Sequence, residues 1–165
     1  MDYLWSPWRY RYLTSGATAA LNTEACVFCS IAAAANDEEN LVVWRGEHNF
    51  VVLNKFPYTS GHLMVVPYAH AAELSAIGDD VATEMMLLAR TAERHIRAIY
   101  HPDGLNLGMN IGSSAGAGIA GHIHMHVLPR WQGDSNFMTT IGETRVLPED
   151  LNVTWQRLHQ AFAGV

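Results

Sequence analysis

Three histidines recur at every second position in the stretch AGHIHMHVLPRW, residues 120–131. They are His122, His124 and His126. On a β-strand, successive side chains point to opposite faces, so the three imidazoles share one face while Ile123, Met125 and Val127 share the other. A lone histidine is most often an ordinary surface or core residue, but three on one face of an apolar strand indicate a functional site.

Two chemistries use neighbouring imidazoles of this kind. One is metal coordination, because imidazole is the commonest side-chain metal ligand. The other is nucleophilic catalysis at phosphorus, in which one imidazole attacks and a neighbour acts on the leaving group. The upstream loop NIGSSAGAG (110–118) favours phosphate chemistry, because its amide, its hydroxyls and its glycine N–H groups can approach phosphate oxygens closely.

A second candidate site involves the only two cysteines, Cys26 and Cys29, which form a CxxC pair. Two thiolates make half of a tetrahedral zinc site, and two histidines would complete it. Alternatively, the cysteines are simply buried near a helix start. A thioredoxin-type redox role is disfavoured, since the pair does not follow a strand in a βαβ unit.

The composition indicates a globular protein, with 49% hydrophobic and 16% charged residues in a chain of 165. This length predicts one domain over residues 1–165, including an aromatic N-terminal extension (1–25) and a C-terminal extension (141–165). The net charge of −6 disfavours nucleic acid as a partner but not a small anionic substrate. No signal peptide or membrane span is expected, and the cysteine usage predicts a cytoplasmic location.

Hydrophobic periodicity predicts the elements that must position these residues. Short β-rich runs predict strands at 41–44, 50–54, 62–66, 105–111 and 122–128. Apolar residues at three- and four-residue steps predict a long helix from Asp79 to Tyr100, and shorter helices are expected from the CxxC to about Asn36 and from Glu149 onward. The fold class is therefore α+β, with a mostly antiparallel sheet carrying helices.

The segment HIHMHVL resembles the signature of the histidine triad (HIT) family, in which histidines alternate with apolar residues. The likeness continues through VLNKFPYTSGHLMVVP and GMNIGSSAGAG to PRWQGDSNFM, covering most of residues 26–140. The segments LWSPWRY and PRWQGDSNF look most like bacterial diadenosine tetraphosphate phosphorylase-type members, close to the fragile histidine triad branch. The resemblance implies a HIT-like fold with a five-stranded antiparallel sheet, one long helix and one or two shorter ones.

By resemblance, His124 attacks the α-phosphate of a dinucleoside polyphosphate, and water or orthophosphate resolves the nucleotidyl-histidine intermediate. His126 would lie beside the scissile oxygen, and His122 would orient the site partly through its backbone carbonyl. No metal is needed among the triad residues, although magnesium could arrive with the substrate.

The resemblance also implies three further contacts. Asn110 would contact the phosphate and leaving group, Asn54 the ribose, and His62 would support the triad. From the residues alone, Asn54 is equally well a strand-end cap and His62 a turn residue.

One segment departs from the family pattern. Many relatives carry Ser, Thr or Gln a few residues before the triad, whereas AGAGIAG (115–121) has no such side chain. The expected substitutes are the side chains of Ser113 and Ser114 or the backbone amides of Ala117 and Gly118. This departure leaves the choice between hydrolysis and phosphorolysis open.

Some bacterial HIT proteins and the related galactose-1-phosphate uridylyltransferases bind zinc through CxxC, a later histidine and the first triad histidine. The corresponding residues here are Cys26, Cys29, His70 and His122. Four protein ligands leave no open coordination position, so the predicted zinc is structural.

A homodimer is expected, because exposed sheet edges are commonly covered by a partner. The resemblance implies that the long helix and a strand form its interface. The aromatic N-terminus would pack across this interface or cover the adenine.

Two alternatives to dinucleotide cleavage remain at this point. One is a nucleoside phosphoramidase of the sister branch, against which the tail PRWQGDSNFM argues. The other is a nucleotide-binding sensor with incidental turnover.

Overall fold

The computed structural model describes residues 26–141 and 147–164, so the expected aromatic N-terminal extension lies outside the described residues. The strands are β1 (Val42–Arg45), β2 (Asn49–Leu53), β3 (Leu63–Pro67), β4 (Gly104–Gly108) and β5 (Met125–Arg130). The helices in these ranges are α1 (Val27–Ala33), α2 (Asp79–Tyr100), α3 (Phe137–Thr140) and α4 (Leu151–Ala163). The sheet order is β1-β2-β3-β5-β4 with antiparallel neighbours, which confirms the predicted α+β class.

The central strands β2 and β3 are buried on both faces of the sheet. One face packs against α2 and α4 in a core that includes Val51, Val65 and Ile96. The opposite face packs against α1, where Phe28 contacts the strand residues of a smaller core that includes Met64. Because β2 and β3 are buried on both faces, their sequences are nearly continuous apolar runs.

The predicted strand at 122–128 is displaced along the chain, since β5 begins at Met125. The preceding segment is extended, but its hydrogen bonds go to loops: the N–H of Ile123 donates to the carbonyl of Ala71 at 2.6 Å. The first two triad histidines therefore precede the regular ladder. Similarly, β4 ends at Gly108 instead of residue 111, because the chain then turns into the glycine-rich loop.

Helix α1 is shorter than predicted and ends at Ala33, before an extended residue at position 34. The guanidinium of Arg45 donates to the carbonyls of Ile31, Ala32 and Ala34 at 3.3, 2.9 and 2.8 Å. A β1 side chain thus satisfies carbonyl groups that the helix leaves unpaired at its end. The four-residue α3 is an addition to the predicted helices.

Side chains of α2 and α4 attach the β1–β2 hairpin to these helices. The carboxylate of Glu84 on α2 accepts hydrogen bonds from the backbone N–H of Glu47 at 2.7 Å and of His48 at 2.8 Å. On the outer side of β1, Trp155 Nε1 and His159 Nδ1 of α4 lie 2.8 and 2.9 Å from carbonyl oxygens of the strand. No described helix combines the length and apolar character needed to cross a bilayer.

Candidate active site and metal centre

The triad histidines lie on the face of the sheet that α1 covers. His126 of β5 pairs with Met64 of β3 and Gly108 of β4, and Met64 belongs to the core beneath α1. The ring of His124 lies 4.9 Å from that of His126, measured between centroids. Val127 packs in the core on the opposite face, as the predicted alternation requires.

The proton of His124 has a defined position. Its Nδ1 lies 2.8 Å from the backbone carbonyl oxygen of His122. Because a carbonyl oxygen only accepts hydrogen bonds, Nδ1 carries the proton and Nε2 keeps its lone pair. Burial lowers the pKa of His124, against the opposing effect of this hydrogen bond. His124 is therefore a neutral imidazole with a nucleophilic Nε2.

A second hydrogen-bonded chain defines the proton on His126. The backbone N–H of Tyr58 donates to Nδ1 of His62 at 3.2 Å, so the proton of a neutral His62 resides on Nε2. That Nε2 lies 2.9 Å from Nδ1 of His126, which must therefore accept. A neutral His126 then carries its own proton on Nε2.

Burial, together with the neighbouring His124, lowers the pKa of His126 to about 4. At neutral pH, the site thus contains a nucleophilic nitrogen on His124 beside a hydrogen-bond donor on His126. This pair suits displacement at phosphorus, in which a nucleophile attacks while a donor stabilises the departing oxygen.

The second cluster consists of Cys26, Cys29, His70 and His122, whose candidate ligand atoms all lie within 4.8 Å of one another. Nδ1 of His122 is 3.3 Å from Sγ of Cys26 and 3.6 Å from Sγ of Cys29. Nδ1 of His70 is 3.3 Å from Sγ of Cys29. The structure thus brings all four predicted metal ligands together.

These distances fit a zinc ion. Bonds of about 2.3 Å to sulfur and 2.0–2.1 Å to nitrogen place tetrahedral S and N ligands roughly 3.6 Å apart. The Nε2 of His122 lies 2.9 Å from the carbonyl oxygen of Pro67, so Nε2 carries the proton and Nδ1 faces the cysteines with a lone pair. Burial, reinforced by Cys26, raises the pKa of the Cys29 thiol, and a cation bound there would favour its thiolate.

His122 connects the two sites. Its ring belongs to the metal cluster, while its carbonyl accepts the Nδ1–H of His124. Anything that holds the His122 ring in place also holds the carbonyl that orients the His124 ring.

The side chain of Asn54 makes its contacts within the segment that follows β2. Its Oδ1 accepts the N–H of Phe56 at 2.9 Å, and its Nδ2 lies 3.4 Å from Nδ1 of His62. This is the strand-end arrangement that the residues alone allowed. The expected ribose contact of Asn54 stays a prediction.

The remaining predicted substrate residues follow β4. Gly108 pairs with His126 at the end of the β4–β5 register, and Asn110 follows two residues later, outside the ladder. The 3-10 turn Ser113–Ala115 exposes the two loop serines, Ser113 and Ser114. The N–H of Ala117 lies 3.4 Å from the carbonyl of Gly112, whereas Gly118 is exposed. The expected phosphate contacts of this loop remain predictions.

Two aromatic residues at the site were not singled out from the sequence. Phe28 contacts the rings of His122 and His124 at 5.5 and 5.0 Å. Tyr58 contacts the rings of His62 and His126 at 4.8 and 6.2 Å. Phe28 lies inside the CxxC motif, a position that could have suggested its proximity, but Tyr58 offered no such signal.

Comparison with known proteins identifies relatives of this chain. A protein-family model described as the HIT domain matches residues 35–133. The chain is 42% identical to a Mycobacterium tuberculosis protein named AP-4-A phosphorylase, over 99% of this chain and 85% of the relative. A crystal structure of a Zn-bound histidine triad family protein from Mycobacterium smegmatis superposes with a TM-score of 0.70 at 26% identity, covering 87% of this chain and 96% of that one. A HIT family protein from Bacillus subtilis gives 0.61 at 28% identity, covering 85% and 96%.

Proposed function

This chain belongs to the HIT domain family, and from that premise we propose that it cleaves dinucleoside polyphosphates at the α-phosphate, with orthophosphate as the acceptor. The observation that carries the proposal is the pairing of an unprotonated Nε2 on His124 with an N–H donor on His126. The choice of orthophosphate is supported by the 42% identity to a protein named AP-4-A phosphorylase.

In the first step, Nε2 of His124 attacks the α-phosphorus, forming an N–P bond as the bond to the bridging oxygen breaks. The positive charge that develops on the ring is stabilised by the His122 carbonyl, which accepts the Nδ1–H. The Nε2–H of His126 donates a hydrogen bond to the departing oxygen. The leaving polyphosphate is a stable anion, so no complete proton transfer to it is required.

In the second step, an oxygen of orthophosphate attacks the same phosphorus and the N–P bond breaks. His124 regains its lone pair, and the nucleotide leaves with one additional phosphate. From diadenosine tetraphosphate the two steps release ATP and then ADP, whereas water as the acceptor would give ATP and AMP. Positioning of the reacting groups accounts for much of the catalysis in such transfers.

The decisive experiment incubates the purified protein with diadenosine tetraphosphate and magnesium, with and without orthophosphate, and identifies the nucleotides released. We expect ADP and ATP only when orthophosphate is present, and no products from the His124→Ala variant. AMP and ATP in both incubations would identify a hydrolase instead. If the wild-type protein released nothing, the proposal would fail, and a phosphoramidase or a sensor would replace it.

We also propose that Cys26, Cys29, His70 and His122 hold a structural zinc ion. The ion would supply a cross-link between α1 and the segments after β3 and before β5, with no open position for catalysis. The measured ligand separations and the Zn-bound neighbour from Mycobacterium smegmatis support this assignment. We also propose that the protein is cytoplasmic and forms a homodimer.

A further inference from the structure

A cavity of about 460 Å³ lies between the loop after β2, the end of α2, the segment after β5 and the start of α4. Tyr58 forms the boundary between this cavity and the triad, because its ring contacts His126 and also lines the cavity. The cavity is large enough for a small organic ligand. It is separate from the metal cluster, which shares none of its lining residues.

The cavity walls suit an aromatic ring. Tyr58, Tyr100 and Trp131 supply aromatic surface, and Met138 adds a polarisable apolar side chain. Stacking on such side chains is the usual way in which proteins bind a nucleobase without regard to its identity.

The charged groups of the cavity are already paired, so they do not favour a phosphate chain. Glu149 accepts hydrogen bonds from the hydroxyl of Tyr100 at 2.5 Å and from Arg157. Asp134 accepts from Arg130 at 2.6 and 2.7 Å. Because a carboxylate neutralises the arginine that lines the cavity, the favoured ligand is one whose part inside the cavity is uncharged.

We infer that this cavity binds the second nucleoside of the dinucleotide, the half that departs with the polyphosphate. The inference rests on the proposed function, in which His126 donates to the departing oxygen, and on Tyr58, which lines the cavity and stacks on the ring of His126. The polyphosphate would bridge the two sites past Tyr58. Recognition of a dinucleotide, as opposed to a mononucleotide, then depends on the aromatic walls of the cavity.

The test compares diadenosine tetraphosphate with adenosine 5′-tetraphosphate, which has the same phosphate chain but no second nucleoside. Affinities are measured by calorimetry in the His124→Ala background, where turnover is blocked. We expect the dinucleotide to bind roughly tenfold more tightly, as stacking of one base would provide. Adding Trp131→Ala should remove this preference while leaving the affinity for adenosine tetraphosphate unchanged.

Met138→Trp, which fills the cavity without removing a wall, should abolish the preference in the same way. Phe137→Ala is the matched control, because this neighbouring residue is 67% exposed and does not line the cavity. Equal affinity for both ligands, binding of neither, or a parallel loss of both in Trp131→Ala would overturn the inference. If the wild-type protein cleaved neither ligand but the preference for the dinucleotide still depended on Trp131, the cavity assignment would stand. Only the proposed catalysis would then be refuted.

Discussion

At the scale of single residues, the chemistry of this site depends on where four protons reside. The imidazoles of His62, His122, His124 and His126 each have one nitrogen whose partner is either a backbone group or another ring. These partners specify one tautomer for each neutral ring. The fold itself consequently arranges the lone pair of His124 Nε2 and the N–H donor of His126, the two groups that the proposed mechanism uses.

Protonation of His124 would remove the lone pair with which its Nε2 attacks, and protonation of His126 would break the hydrogen bond that its Nδ1 accepts from His62, so both should lower the rate. Since the folded-state pKa of His126 is lowered to about 4, its neutral form persists far below the ordinary value for histidine. Because burial lowers the pKa of both His124 and His126, we expect the single-turnover rate of ATP release to fall only at a pH below the ordinary histidine value of about 6.5. A decline centred near pH 6.5 would contradict this expectation. Single-turnover measurement is required because the acceptor phosphate itself titrates near neutral pH.

The sequence could predict which residues gather at the site but not their protonation. The alternation of histidine and apolar residues was sufficient to predict that His124 and His126 share a face. The tautomers, however, depend on the N–H of Tyr58 and the carbonyl of Pro67. The first lies in the loop after β2 and the second at the end of β3, so no local pattern around the triad specifies their positions.

At the scale of elements, the proposed metal cluster would join α1 to the segments after β3 and before β5, which are far apart in sequence. Helix α1 is only seven residues long, too short to be stable alone, so it depends on such contacts. Arg45 supports its C-terminal end and the two cysteines supply its other attachment. Loss of the cluster is therefore expected to lower the free energy of unfolding.

Cys26→Ser should reduce the bound zinc, measured by mass spectrometry of the metal, and weaken the folded state. A loss of about 2 kcal/mol would lower the melting temperature by roughly 4–8 °C. Cys26→Ser should affect the free energy of unfolding more than the activity per folded molecule, because His124 remains present. Val27→Ser is the matched control, since this neighbour is 48% exposed and is not a candidate ligand. Full zinc content in Cys26→Ser would refute the cluster as a zinc site.

Sequence patterns predict some element boundaries well and others poorly. The long α2 matches its prediction from Asp79 to Tyr100, because its apolar period is sustained over many turns. The strand containing the triad was predicted three residues too early. Its extended N-terminal part pairs with the loop residue Ala71, and a hydrogen bond to a distant loop leaves no trace in local periodicity.

At the scale of the whole molecule, the two edges of the sheet differ. Trp155 and His159 of α4 cover carbonyls of β1 on one edge. On the other edge, β4 and the residues after it carry Leu107 and Ile111, both 44% exposed. The fold class was predictable because the strand and helix periods are distinct, but this difference arises from tertiary packing of α4.

We predict that the β4 edge contributes to the proposed homodimer. Light scattering should report a mass of two chains for the wild-type protein and one chain for Leu107→Lys, because a charge at an apolar contact opposes association. Val153→Lys provides the control at equivalent exposure, 45%, on α4. An unchanged mass for Leu107→Lys would exclude this edge from the interface.

The covering of β1 by α4 has a consequence for assembly. A sheet with two accessible edges can add further copies at both ends and grow into a filament. Here the indole of Trp155 and the imidazole of His159 occupy acceptor groups that an incoming strand would need on one side. When two copies meet through their β4 edges, each turns its covered edge outward. In the proposed dimer, growth would therefore stop at the pair, and α4 would hinder fibre formation as well as contribute to the core.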